Sequence, residues 1–141
     1  MKKAFFSMAL IVALSATPVL AADIELIGAD DITWETTPEG VAFAALQGNR
    51  FEETYQAMVR LPAGIVSPPH VKSANMYGVM LQGEMVHYPQ GADPEGAQRM
   101  GAGSYYHIPS GLAHVSACVS AEPCVAYLYQ DGAFDFLPMQ Q

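Results

Sequence analysis

The hydrophobic positions of this chain fall into short runs, with almost no helical periodicity. Past residue 23 the runs are "IELI" (24–27), "VAFAAL" (41–46), "ETYQAMVRL" (53–61), "MYGVML" (76–81), "EMVHY" (84–88), "SYYHI" (104–108), "LAHVSACV" (112–119) and "CVAYLY" (124–129). Gly and Pro divide them, in "QGN", "PAG", "SPP", "PQGADPEG", "GAG", "PSG", "AEP" and "QDG". Short strands at regular spacing without helices predict an all-β sandwich or barrel. The longest and most polar connection, "YPQGADPEGAQRMGAG" (88–103), reads as a surface loop joining two halves of a barrel, or as a lid.

The first residues do not fit that pattern. "MKKAFFSMALIVALSATPVLAAD" has a basic start at Lys2 and Lys3, an apolar stretch over 4–14 and small residues at "VLA". This is the layout of a bacterial secretory signal over residues 1–21, cleaved after Ala21 or, as second choice, Ala22. The competing reading, a membrane anchor, needs a longer apolar stretch. The expectation is a periplasmic or secreted protein with one domain over 22–141 and no membrane contact after cleavage. About 120 residues then remain, enough for one core.

Cleavage sharpens the charge. The whole chain carries −8; removing Lys2 and Lys3 leaves Arg50, Arg60, Lys72 and Arg99 against 14 acidic residues, or near −10. Nucleic acid and anionic lipid both need clustered Lys and Arg, so neither is an expected partner. The two cysteines, Cys118 and Cys124 in "ACVSAEPCV", flank a turn signal. In an exported chain an even count predicts a disulfide, here across a hairpin. So short a loop adds about 2 kcal/mol by chain entropy. The rival, a metal-binding Cys pair, lacks CxxC spacing.

Two stretches carry a more specific signal. "GIVSPPHVKSANMYGVMLQG" (64–83) resembles the first motif of the cupin superfamily: Gly, five residues, His-x-His, three or four residues, Glu, six residues, Gly. Gly64, His70 and Gly83 are in place; Lys72 stands at the second His and Met76 at the Glu. "GSYYHIPSGLAH" (103–114) resembles the second motif: Gly, five residues, Pro, one residue, Gly, two residues, His. Gly103, Pro109, Gly111 and His114 all match, and Cys118 stands where Asn often follows. The resemblance, to a small single-domain bacterial cupin with a degenerate first motif, implies a jelly-roll β-barrel closing over a pocket. It also implies pairing into a homodimer through a sheet edge. Such barrels host many chemistries, so the fold does not assign one.

The two exchanged positions bear on function. A protonated Lys72 has no lone pair to give a metal. It can bind an anionic group of a ligand, reach the mouth as a surface residue, or act as an acid/base or Schiff-base amine. Met76 removes a hard carboxylate donor. A thioether with two imidazoles suits copper, and plain core packing is the alternative. His70 and His114 occupy ligand positions of the motifs. Tyr105 and His107 share a strand face; if that face points inward they line the pocket, and His107 joins His70 and His114 as a replacement ligand set. His87 shares parity with Met85 and Gly83 and can reach the same cavity lower down; the other reading, favoured for a lone histidine, is a hydrogen-bonded structural residue.

Three functions follow. The first is an exported barrel that binds a small, anionic ligand through Lys72, Tyr105 and His107. The second is a metal-dependent cupin enzyme: dioxygenase, isomerase, decarboxylase or lyase, with Lys72 the catalytic candidate. The third is a copper-binding protein using His70, Met76 and His114. The metal would be copper, iron, zinc, nickel or manganese, and a metal-free barrel is an equal alternative.

Overall fold

The computed structural model describes residues 23–139; the expected secretory signal lies outside the described residues. Ten strands form among them. They are β1 (Glu35–Thr36), β2 (Ala42–Gln47), β3 (Tyr55–Leu61), β4 (His70–Val71), β5 (Met76–Gln82), β6 (Met85–Pro89), β7 (Tyr105–Ile108), β8 (His114–Cys118), β9 (Cys124–Gln130) and β10 (Leu137–Pro138). One antiparallel sheet has the order β1-β2-β3-β9-β5-β7, and the other β10-β4-β8-β6. This is the all-β jelly roll that the motif resemblance implies.

The central strands show why the pattern folds this way. Along β3, Tyr55, Ala57 and Val59 are buried while Gln56, Met58 and Arg60 are less so. β5 and β9 alternate in the same way, with Met76, Gly78 and Met80 and then Cys124, Ala126 and Leu128 inward. A period of two puts one set of side chains between the sheets and the other on the outer face. β8 is buried along its whole length, because its second face is also covered.

Two glycines are required by their surroundings. Gly83, in the turn between β5 and β6, has φ +73°, and a Cβ there would meet Ser120 Oγ at 2.9 Å and Cys124 Cα at 3.0 Å. Gly78 lies beneath the Tyr106 ring, and a Cβ would fall 2.1 Å from its Cζ. The bare backbone of β5 thus makes room for a large side chain from β7.

Two sequence expectations are corrected here. "IELI" forms no strand; Ile24 and Leu26 are exposed and lie outside both ladders. The pattern was strand-like, but strand structure needs a partner for its backbone groups. Cys118 and Cys124 are bonded, 5.8 Å apart at Cα, but not across a hairpin. β8 ladders with β4 and β6, and β9 with β3 and β5, so the bond ties one sheet to the other.

Candidate functional site

The site is built on the short strand β4. His70 pairs in register with His114 of β8, so their side chains emerge together on the same face. The two rings lie 4.2 Å apart between centroids. Each Nδ1 faces a backbone carbonyl, Pro68 O at 3.0 Å for His70 and Leu112 O at 2.9 Å for His114. A carbonyl only accepts, so Nδ1 carries the proton and Nε2 keeps its lone pair.

His87 of β6 joins them. Its Nδ1 lies 2.8 Å from Ser116 Oγ, and its ring is 6.5 Å from that of His114. The Nε2 atoms of both His87 and His114 are buried without a hydrogen-bond partner. Burial disfavours the imidazolium in all three rings. His70 falls to about 4, with the neighbouring His114 and Lys72 acting in the same direction against the Pro68 hydrogen bond. His87 falls to about 3 by burial and the neighbouring histidines, and His114 is lowered by burial and by Lys72. These are neutral imidazoles at neutral pH.

Lys72 follows β4 and is only 5 % exposed, so the surface reading of this residue is ruled out. The N–H of Gly111 donates to its backbone carbonyl at 2.9 Å, tying the second motif to the first. Its Nζ donates to the backbone carbonyl of Asp135 and sits 4.0 Å from the centre of the Phe134 ring. Burial lowers the ammonium to about 8, partly opposed by the Asp135 carboxylate. Lys72 makes no ion pair among the described residues. The Asp135 carboxylate instead accepts from the Ser73 N–H at 3.1 Å.

The segment 133–138 roofs this group. Gln130 Nε2 donates to Ala133 O at 2.7 Å, the Phe134 N–H donates to Arg50 O, and Leu137 and Pro138 pair with Val71 and His70. Phe136 lies flat on His70, with 4.1 Å between centroids and 17° between planes. Beneath the roof is a cavity of about 600 Å³. Its walls are mainly hydrocarbon, including Val41, Phe43, Val59, Leu61, Met76 and Leu128; its polar side chains include His70, Lys72, His87 and the Glu39 carboxylate.

The sequence-predicted residues therefore separate. His70, Lys72 and Met76 line the cavity, and His114 sits beside His70. Tyr105 and His107 do not line it. Tyr106 and Ile108 are the inward residues of β7, while Tyr105 and His107 are exposed on the outer face. There His107 stacks on Tyr77 at 4.5 Å. Parity alone decides this, and it removes His107 from any set with His70 and His114. The sequence leaves His87 between the cavity and a structural role, and the structure places it in the cavity lining. Sequence reasoning missed the whole of the roof. The signal for the roof was "FDF" (134–136), two Phe residues on one face after the "QDG" turn.

The family model of the ChrR cupin-like domain matches residues 23–134. The chain belongs to this cupin family. Among solved structures, it is similar to KdgF from Halomonas sp., at 17% identity over 76% of this chain and 94% of that one, with a TM-score of 0.60. The polyketide cyclase RemF from Streptomyces resistomycificus is similar at 15% identity over 84% and 87%, with a TM-score of 0.65. A chain of the Rhodobacter sphaeroides complex of SigE with the anti-sigma ChrR is similar at 22% identity over 74% and 52%, with a TM-score of 0.58. At these identities the likeness shows the fold alone. No curated protein matches the chain.

Cupin motifs place metal ligands at positions 70, 72, 76 and 114, and this ChrR cupin-like chain meets half of that pattern. His70 and His114 present adjacent, carbonyl-oriented imidazoles, as metal-binding histidines do. Lys72 brings a cation in place of a lone pair, and Met76 a thioether in place of a carboxylate. No group of three or more His, Cys, Asp or Glu among the described residues is positioned to hold a metal ion. The residues do not fit the three-histidine, one-carboxylate site of the superfamily.

Proposed function

We propose that this barrel binds a small anion with an apolar body, using Lys72 as the charge partner. The carrying observation is a buried ammonium with no ion pair, set in a largely hydrocarbon cavity of about 600 Å³. An unpaired buried charge costs several kcal/mol, and a bound anion removes most of that cost. Of the three donors on Nζ, the Asp135 carbonyl takes one and leaves the others for a ligand. His87 Nδ1 can accept from the Ser116 hydroxyl, which leaves an Nε2 proton to donate to the ligand, whereas His70 presents only a lone pair. The protein acts outside the cytoplasm on this reading, which the secretory-type start and the bonded Cys118–Cys124 pair support.

The test is calorimetric titration with benzoate, phenylacetate and hexanoate. Saturable binding to the wild-type chain that is lost in folded Lys72→Met supports the proposal. Equal binding by both chains, or binding of neutral benzamide as tightly as benzoate, removes Lys72 from the site.

The unpartnered Nε2 of His114 favours a second reading, a cuprous ion held by His70 and His114 with Met76. A competition titration with a chromogenic Cu(I) chelator decides it. Tight 1:1 binding that weakens in Met76→Leu supports copper, and failure to compete ends that reading.

A further inference from the structure

We propose that the cavity selects a ligand charged at both ends, an ω-amino carboxylate with an aliphatic middle, and that Glu39 at the mouth selects its ammonium end. The inference rests on the reading of Lys72 as the partner of an anion. It deepens that reading by naming what the other end of the ligand meets. Strand register places the two protein charges at opposite ends of one cavity. Tyr55 pairs with Gln130 at one end of β3, and Leu61 pairs with Cys124 at the other. Lys72 belongs to the first end. Gln130 Nε2 donates to Ala133 O, and the residues that follow bring the Phe134 ring and the Asp135 carbonyl against Nζ. Glu39 belongs to the second end. Ala42 pairs with Arg60, next to Leu61, and the turn that holds Glu39 is closed by the Thr37 N–H donating to Val41 O at 2.8 Å. A Cβ on Gly40 would fall 3.2 Å from Pro62 Cγ, just past that end of β3.

Both residues line the same cavity, with Val41, Phe43, Val59 and Leu61 among its walls. Lys72 is buried and Glu39 is exposed, which makes the Glu39 end the mouth. β3 is seven residues long, about 20 Å of extended strand. Allowing for the lengths of the two side chains, a ligand chain of about ten atoms fits between the charges. Neither Lys72 nor Glu39 makes an ion pair among the described residues. An anion with a methyl end satisfies Lys72 and leaves its apolar end against a carboxylate. An anion ending in an ammonium meets an opposite charge at each end and keeps its hydrocarbon on the apolar walls.

Calorimetric titration with octanoate and ω-aminooctanoate tests the selection. The wild-type chain should bind ω-aminooctanoate about three- to fivefold tighter than octanoate, the size expected of a charge pair at a solvated mouth. Glu39→Gln should abolish that preference and keep octanoate binding. Glu39→Lys should invert it, so that octanedioate binds more tightly than ω-aminooctanoate. Glu39 is exposed, so neither substitution disturbs the core. Octanoate bound by the wild-type chain as tightly as ω-aminooctanoate, failure of ω-aminooctanoate to bind, or a preference that survives in Glu39→Gln overturns the inference. The role of Lys72 is read separately, from octanoate alone. Octanoate binding that persists in folded Lys72→Met ends the anion reading. Octanoate binding that depends on Lys72, with no gain from the ammonium, ends only the assignment of Glu39.

Discussion

The two sheets of this barrel are built differently. β3, β5 and β9 of the six-stranded sheet are each seven residues long, and each alternates cleanly between buried and less buried positions. In the four-stranded sheet β4 and β10 are two residues long, and β4 meets β8 at a single register pair, His70 with His114. Yet His70, His87 and His114 all come from this thinner sheet, and Lys72 immediately follows β4. The remaining histidine, His107, belongs to the six-stranded sheet and points outward. The long ladders hold the register of the barrel. The thin sheet, steadied by loops and by the 133–138 roof, carries the cluster of inward histidines and leads into Lys72.

The largest effect should come from damaging the long ladder. Gly78→Ala drives a methyl group into the buried Tyr106 ring, and should cost about 2–3 kcal/mol in a urea melt. A change within about 0.5 kcal/mol would mean that Tyr106 moves freely and the ladder is less rigid than described. On the thin sheet the sign reverses. Lys72→Met replaces a buried, unpaired cation with a side chain of similar length, and should stabilise the empty protein by about 1–2 kcal/mol. The same melt in benzoate should show the wild-type chain gaining stability and the variant gaining none.

Acid should test the buried histidines of the thin sheet. In the unfolded chain an imidazole binds its proton near pH 6.5, whereas folded His70 does so near 4 and His87 near 3. Between those values the unfolded state holds more protons, so stability rises with pH and is lost as pH falls from 6.5 toward 4. Urea midpoints at pH 7, 5.5 and 4.5 should decline in the wild-type chain and decline less in His87→Leu. The smallest effect belongs to the outer face: His107→Ala should shift stability by about 0.5 kcal/mol or less and leave benzoate binding unchanged. Loss of benzoate binding in that variant would move the site from the cavity to the outer face.

Much of this arrangement was legible in the residues. The glycines at 64, 83, 103 and 111, with His70 and His114, marked the jelly roll and the pairing of two histidines. The long alternating runs located the strands of the main sheet. What the sequence did not carry was contact between distant segments. β4 and β10 are too short to leave a periodic trace, and β1 likewise. The strand face of His107 depended on a one-residue parity that "SYYHI" leaves open, since Tyr105 and Tyr106 are equally acceptable inside. Which of its two readings His87 takes is left open by the sequence, because its Ser116 partner is 29 residues away and appears only when β6 pairs with β8. The roof was missed because "FDF" has no meaning until Lys72 and His70 lie beneath it.

The roof also has a consequence for how such pockets diversify. The family match ends at residue 134, so Asp135 and Phe136, which cap Lys72 and cover His70, lie just past it. The cover is one short segment at the end of the ladders, so a change at Phe136 reaches His70 without touching the strands of the main sheet. Exchanging those last residues is then a way to change what covers the two side chains while leaving the architecture alone.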